Sequence, residues 1–115
     1  MRKGDDIRGR AFQFACDVSD LCDGVAVTGF SERRVAGQLV DAAHSIGANL
    51  EEADAAQSRA DFISKCSVSL KEARESHYWL RLLRHKGKLP DDRLLDECNE
   101  IIAVLTTIVR KTRGE

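Results

Sequence analysis

Residues 59–86 read RADFISKCSVSLKEARESHYWLRLLRHK, and this stretch decides the fold class. Its apolar side chains recur every three or four residues, which is the period of an α-helix with one buried face. Ser58 and Asp61 resemble a capping box at its start, and Gly87 is typical of a helix end. The pattern predicts a helix over residues 59–86. Its expected core positions are Phe62, Cys66, Leu70, Ala73, His77 and Leu80.

The same period continues on both sides of this segment. It predicts further helices over residues 6–23, 32–55 and 91–111. Ser31 is expected to cap the second helix, and Pro90 to occupy an early position of the fourth. Helices with short links pack against their neighbours in antiparallel order. We therefore predict an all-α protein, in which residues 1–115 form one domain, an up-down-up-down antiparallel four-helix bundle. The seam expected in the fourth helix is Leu94, Cys98, Ile101, Leu105 and Ile108.

Composition excludes two large classes of fold. The chain has 115 residues, of which one is Pro, eight are Gly and 5% are aromatic. A β-sandwich or barrel needs many β-branched or aromatic runs between turn residues, and this chain lacks them. A Rossmann-like fold needs a longer chain. An elaborate two-lobed cleft would have to be built between subunits.

Charge is balanced overall and uneven along the chain. The net charge is −1, but residues 1–57 hold 6 basic and 10 acidic side chains, whereas residues 58–115 hold 12 and 9. The halves are thus −4 and +3. Any contact with nucleic acid must therefore come from a local basic patch.

Neither a secretion signal nor a membrane span is expected. Arg2 and Lys3 are not followed by an apolar segment. No apolar stretch reaches the roughly 18 residues that cross a bilayer. We therefore expect a cytoplasmic protein.

The sequence offers no catalytic or metal-binding constellation. The four cysteines, at positions 16, 22, 66 and 98, contain no Cys-x-x-Cys pair and are expected to be reduced, buried side chains. Asp41 and His44 form one acidic-x-x-His unit, but a dinuclear bundle site needs two. Cys66 and His77 would lie roughly 16 Å apart on one helix. No phosphate-binding loop or nucleophile elbow is present. We expect no metal, no cofactor and no enzymatic activity.

One face of the predicted third helix is basic. At spacings of three and four residues it presents four cations, a tyrosine and a histidine, which we call the basic stripe. Cations can neutralise phosphates, and the rings can stack on unpaired bases. The alternative is a solvated face whose charges pair with carboxylates of the neighbouring helices. The basic stripe consists of Lys71, Arg74, Tyr78, Arg81, His85 and Lys88.

A second stripe of the same helix is expected to point away from the core. Its apolar members are Val68, Trp79 and Leu82. An outward Trp and Leu are typical of a surface that an oligomer buries, so we expect self-association here. The alternative is a wide buried face on a central helix, or a Trp lying flat on the surface.

Polar side chains fall on or near the inner face of the second helix. Ser45, Asn49 and Glu52 share one side, and Asn49 lies on the apolar seam. We expect a buried cluster hydrogen-bonded to Ser58 or to backbone where the second and third helices meet, fixing their alignment. The alternative is a polar ligand pocket.

These residues also carry a family resemblance that spans residues 6–112. The chain resembles the small four-helix bundle proteins first noted as reading frames in 23S ribosomal RNA intervening sequences. That family usually has Pro at the place of Gly47, Gly at that of Ala53, and often a basic pair at Val40 and Asp41. These departures weaken a basic function for the second helix and leave the basic stripe intact. The segments that carry the resemblance are SIGANLEEA at 45–53, Ser58, Phe62, SLKEARE at 69–75, YWLRLL at 78–83 and IIAVLTTI at 101–108.

The resemblance implies a homo-oligomer, namely a homopentamer, since members of the family form five-fold barrels of bundles. It also implies that the protein has no enzymatic activity. One branch is similar to the accessory variability determinant of diversity-generating retroelements, a basic ring that binds a reverse transcriptase and its RNA or DNA. The expected function is accordingly an oligomeric scaffold whose basic stripe contacts nucleic acid or a nucleic-acid enzyme such as a reverse transcriptase. The alternative is a structural or protein-interaction module that binds no nucleic acid.

Overall fold

The fold consists of four α-helices. The structure is a computed structural model that describes residues 5–115, and within them it contains α1 (Asp5–Val25), α2 (Phe30–Asp54), α3 (Arg59–His85) and α4 (Arg93–Thr112). Every predicted helix is present, with ends displaced by at most two residues. The all-α prediction is confirmed. Residues 1–4 of the predicted domain lie outside the described residues.

The helices form an antiparallel bundle of 44 × 23 × 20 Å. Successive helices pack side by side, and α4 returns to α1 to close the ring. One contact between helix ends shows that α3 and α4 run in opposite directions. The Arg59 guanidinium at the start of α3 donates to the carbonyl of Thr112 at the end of α4. The predicted bundle is therefore confirmed, with the contact between α1 and α4 the least extensive of the four.

The helix starts confirm one predicted cap and correct two others. The Ser58 hydroxyl accepts a 3.0 Å hydrogen bond from the Asp61 N–H, as expected. Ser31 does not cap α2, because the helix begins two residues earlier than predicted, at Phe30, with the extended Gly29 in the cap position. Pro90 precedes α4 rather than lying within it, since Asp92 is the N-terminal cap.

Gly87 ends α3 through its backbone conformation. Its φ of 72° lies in the left-handed region. The N–H of Gly87 donates to the carbonyl of Arg84, and the N–H of Lys88 donates to that of Leu83. This pair of bonds is a Schellman motif, which satisfies carbonyls that the helix end leaves free. The turn places Lys88 directly after the helix that carries the rest of the basic stripe.

The core combines large apolar side chains with small residues at helix contacts. Phe14, Leu39, Ile46, Leu80, Ile101 and Leu105 are fully buried. A Cβ atom built on Gly47 of α2 would lie 3.8 Å from the Cβ of Ala11 in α1, so small residues let these helices approach. Between α2 and α3, the buried Ser69 hydroxyl donates to the Ile46 carbonyl at 2.8 Å. The core therefore includes a polar link between helices.

The cysteines are free thiols, as predicted. Cys22, Cys66 and Cys98 are buried, whereas Cys16 is half-buried. Burial raises the pKa of Cys22 to about 11 and that of Cys98 to about 12. Burial also raises the pKa of Cys66. These three thiols remain protonated at neutral pH.

None of the four helices, over residues 5–115, combines the length and the hydrophobicity that a membrane crossing requires.

Candidate nucleic-acid interface

The basic stripe lies on the solvent-facing side of α3. Lys71, Arg74, Tyr78, Arg81 and His85 are all exposed, because α2 and α4 cover the opposite side of this helix. Lys88 follows in the turn and is partly buried. The structure therefore brings the six predicted residues along one edge of the bundle, over the second half of α3 and its end.

Three cations of the basic stripe have no carboxylate partner. Seven of the thirteen other Lys and Arg side chains within residues 5–115 do; for example, Arg10 pairs with Glu97 at 2.7 Å, and Lys65 with Glu52 at 3.1 Å. Within residues 5–115, no ion pair involves Lys71, Arg74 or Arg81. The remaining ion-paired cations are Arg8, Arg84, Lys86, Arg93 and Arg110. Carboxylates of the neighbouring helices therefore do not neutralise the charges of these three residues.

Tyr78 presents an accessible ring in the middle of these charges. Its side chain is 48% exposed, and the guanidinium carbon of Arg81 lies 5.6 Å from the ring centroid. The Trp79 ring contacts it edge-on, with 5.0 Å between the centroids. An exposed ring beside a cation can accept a stacked base and hold a phosphate nearby.

One carboxylate lies near the far end of the stripe. Glu32 of α2 approaches Lys86, with 3.8 Å between Oε1 and Nζ. Its own backbone N–H, the Ser31 hydroxyl, and the charges of Lys86 and Lys88 lower the pKa of Glu32. Glu32 therefore partly compensates the charges of Lys86 and Lys88 at this end of the stripe.

His77 lies between the stripe and the core. It is half-buried, and burial together with the Arg81 charge lowers its pKa. Its imidazole is therefore neutral at pH 7 and adds no charge to the interface.

The apolar residues of the second stripe of α3, Val68, Trp79 and Leu82, are less exposed than the sequence predicted. Val68 is 39% exposed, but Leu82 is half-buried, and the half-buried Trp79 packs against the core of its own subunit. The Trp79 Nε1–H donates to the Glu75 carboxylate at 3.2 Å. The prediction that Trp79 points away from the core is wrong, because two neighbouring helices cover a wide arc of α3. Val68 is the most exposed of the three residues of the expected interface.

The expected polar cluster does not form as one buried unit. The Asn49 side chain donates to the Ser45 carbonyl within α2, Glu52 pairs with Lys65, and Ser58 caps α3. Glu52 and Ser58 are exposed. The buried polar link between these helices is made by Ser69 instead. Hydropathy patterns miss such a residue because a serine resembles a solvent-facing position in the sequence.

A second group of aromatic and basic residues was not predicted. Phe30 is 71% exposed, and the guanidinium carbons of Arg33 and Arg34 each lie 6.0 Å from its ring centroid. The signal was present in the sequence, since positions three and four residues after an aromatic lie beside it on a helix.

Two open grooves follow the contact between α1 and α4, one of about 1070 Å³ and one of about 440 Å³. Their lining contains no residue of the basic stripe. The Arg10–Glu97 pair bridges these two helices, and this hydrogen bond raises the pKa of Arg10. Asp17 and Asp20 line the larger groove, whose charge disfavours phosphate.

One contact has the composition of a catalytic pair. The Ser19 hydroxyl and His44 Nε2 are 2.8 Å apart. The same hydroxyl is 2.8 Å from the Ala15 carbonyl of its own helix, and when its one hydrogen lies in that bond it can only accept from the imidazole. This geometry is not that of a nucleophile and its base. Nor do three or more metal-ligating side chains converge within the described residues.

Comparison with known proteins gives the family. A family model described as "23S rRNA-intervening sequence protein" matches residues 5–107. The chain belongs to this family. A crystal structure of another protein, of unknown function and from the S23 ribosomal protein family of Bacteroides thetaiotaomicron VPI-5482, has a TM-score of 0.83 and 32% sequence identity. That likeness covers 90% of this chain and 98% of the other. No curated protein matches this chain.

Proposed function

We propose that this 23S rRNA-intervening sequence protein is a non-enzymatic, self-associating helical scaffold that binds nucleic acid through the basic stripe of α3. One observation carries the proposal. Lys71, Arg74 and Arg81 share one face of α3, are exposed and have no carboxylate partner within residues 5–115. Leaving three charges uncompensated on one helix face favours a polyanionic partner.

Binding through this face depends mainly on phosphates. Lys and Arg contacts to phosphates position a nucleic acid without reading its sequence. Each neutralised phosphate releases counterions, so the logarithm of affinity falls with that of salt concentration by about 0.7 to 0.9 per contact. We therefore expect sequence-tolerant binding with a steep dependence on salt.

Self-association would multiply a weak interaction. A stripe of a few cations in a chain of net charge −1 gives modest affinity on its own. Several copies in one assembly raise the effective concentration of each further contact. Val68 and Leu82 offer apolar surface for such an assembly on the accessible side of α3. The pentamer implied by the resemblance is the form we propose.

A nucleic-acid enzyme is the protein partner that fits this scaffold. The resemblance to a retroelement accessory protein suggests a reverse transcriptase, and the exposed basic stripe is compatible with an enzyme already bound to RNA or DNA. A reverse-transcriptase gene beside this one, together with recovery of that enzyme with the purified protein, would support this partner.

Reversal of two stripe charges tests the proposal. We expect Arg74→Glu combined with Arg81→Glu to weaken binding to RNA and to flatten the salt dependence. The matched control is Lys111→Glu combined with Arg113→Glu, two exposed cations at the end of α4, on the opposite end of the bundle from His85. Both double variants change the net charge equally. Unchanged affinity and slope in the α3 variant would refute the proposal.

A protein-interaction module is the second candidate. The partly exposed Val68 and Leu82 favour it, because an apolar surface can bind another protein without any help from nearby cations. It predicts that the α3 charge reversal leaves every partner bound and that the protein does not bind RNA at any salt concentration.

A further inference from the structure

The first residue of α2 forms an exposed aromatic and cationic group. Phe30 has 71% of its side chain exposed, and its ring lies beside Arg33 and Arg34. Neither guanidinium has an ion pair within the described part of the chain; the nearby Glu32 is engaged by Lys86 and Ser31. An apolar ring at such exposure gains little from folding. We call Phe30, Arg33 and Arg34 the Phe30 platform.

The Phe30 platform lies at the same end of the bundle as the end of the basic stripe. The ion pair between Lys86 and Glu32 joins the end of α3 to the first turn of α2. His85 and Lys88 flank Lys86 in the chain. A nucleic acid that follows α3 toward His85 can therefore continue onto the start of α2.

We infer that the nucleic acid bound here is single-stranded, and that an unpaired base stacks on Phe30 while Arg33 and Arg34 contact the adjacent phosphates. This inference rests on the proposed function. In an undistorted duplex the base faces are stacked inside the helix, and a protein ring reaches them only by unstacking a base step, which is energetically costly. Exposed rings among cations are typical of proteins that bind single strands without sequence preference. Tyr78 with Arg81 over its ring repeats the arrangement within the basic stripe.

Exposure alone does not produce this arrangement. Phe12 of α1 is 70% exposed, nearly the same as Phe30, yet no cation lies over its ring among the described contacts. It is therefore a matched control for the loss of an exposed phenylalanine.

Fluorescence anisotropy with three probes of equal length tests the inference. The probes are oligothymidylate, a DNA duplex and an abasic single strand. Base stacking on an aromatic residue contributes enough that we expect Phe30→Ala to weaken binding of oligothymidylate by about fivefold or more. The abasic strand and the duplex should bind the variant and the wild type equally. Phe30→Trp should retain affinity, and Phe12→Ala should change nothing.

The outcomes separate this inference from the proposed function. If oligothymidylate binds with steep salt dependence but Phe30→Ala binds it equally well, stacking on Phe30 is refuted and the basic stripe stands. Equal weakening on all three probes would show that the ring does not stack on a base, and tighter binding of the duplex would refute the single-strand preference. If wild type binds none of the probes, the proposed function itself fails. Circular dichroism establishes that each variant is folded.

Discussion

Ser69 of α3 donates its hydroxyl hydrogen to the carbonyl of Ile46 in α2 at 2.8 Å, inside the core. Ser76, two turns later on α3, is equally buried, but its hydroxyl donates to the Glu72 carbonyl of its own helix at 2.9 Å. The two serines thus share type, helix and burial, and they differ in whether the bond joins two helices. They form a natural pair for measuring what the bond between helices contributes.

We expect Ser69→Ala to lower the free energy of unfolding by about 1 kcal/mol, because a buried hydrogen bond between helices is lost. Ser76→Ala should be close to neutral, since its bond within the helix contributes little and Ala has the higher helix propensity. Urea unfolding followed by circular dichroism measures both. Equal effects of the two substitutions would show that the bond to Ile46 does not hold α2 against α3.

Gly87 and Gly37 should respond to Ala in opposite directions. Gly87 has a φ of 72°, where an L side chain is strained, so Gly87→Ala should destabilise the protein by about 1 kcal/mol. Gly37 lies within α2 with no neighbouring atom within 4 Å of a built Cβ, so Gly37→Ala should stabilise by about 0.5 to 1 kcal/mol. Thermal unfolding of both variants checks the sign. A stabilising Gly87→Ala would contradict the role of the left-handed turn.

The helices were predictable from the sequence because their apolar period is regular, but the rotation of each helix was not. In α3, the predicted core positions Phe62, Leu70 and His77 are only partly buried, whereas Ser69 and Leu83 are fully buried. Because α3 packs against both α2 and α4, the middle of its buried face points between these two helices. A hydropathy pattern does not show in which direction that is. Serine also counts as polar in such a pattern, although its small size suits a close helix contact.

The basic stripe illustrates the same limit for the candidate site. Spacing alone placed Lys71, Arg74 and Arg81 on one face. Whether carboxylates of α2 or α4 would pair with them depends on the rotation and register of those helices, which packing decides. The structure shows the three charges without such partners within residues 5–115. For the Phe30 platform, the sequence shows the spacing of Phe30, Arg33 and Arg34. Only the structure shows that the ring is exposed and can therefore contact a ligand.

Alkaline pH should destabilise the protein through its buried thiols. Burial raises the pKa of Cys98 to about 12 and that of Cys22 to about 11, from an ordinary value of 9.0 in the unfolded chain. Above pH 9, the unfolded thiols lose protons while the folded ones keep them. The stability they contribute is therefore fully present below pH 9 and falls as pH rises from 9 toward 11 or 12.

Unfolding by urea at pH 8, 9 and 10 measures this loss, with each thiol costing up to about 1.4 kcal/mol per pH unit above its unfolded pKa. Cys98→Ala removes one of these groups. That variant should be less stable at pH 8, because the buried thiol and its hydrogen bond to the Ala73 carbonyl are lost, but its stability should fall less steeply with pH than that of wild type. Identical slopes would show that ionisation of Cys98 does not couple to unfolding.

Self-association through α3 should depend on the exposed Val68 and the half-buried Leu82. Val68→Glu and Leu82→Asp each place a carboxylate on surface that an oligomer would bury, and an unpaired charge there opposes association. We expect either variant to lower the mass measured by light scattering while circular dichroism shows unchanged helicity. Trp79 is a poorer choice because its ring packs against the core of its own subunit, so its loss would also affect folding.

Ala103→Glu is the control, since Ala103 is exposed on α4 and gains the same charge away from this surface. It should leave the mass unchanged. Val68 is more exposed than Leu82, so a folded Val68→Glu protein keeps the test decisive if Leu82→Asp fails to fold. The proposed contact between copies through α3 would be refuted by either of two results. The wild-type protein could be monomeric at tens of micromolar, or the Val68→Glu variant could keep the full mass of the oligomer. Nucleic-acid binding would then depend on the single stripe of one subunit.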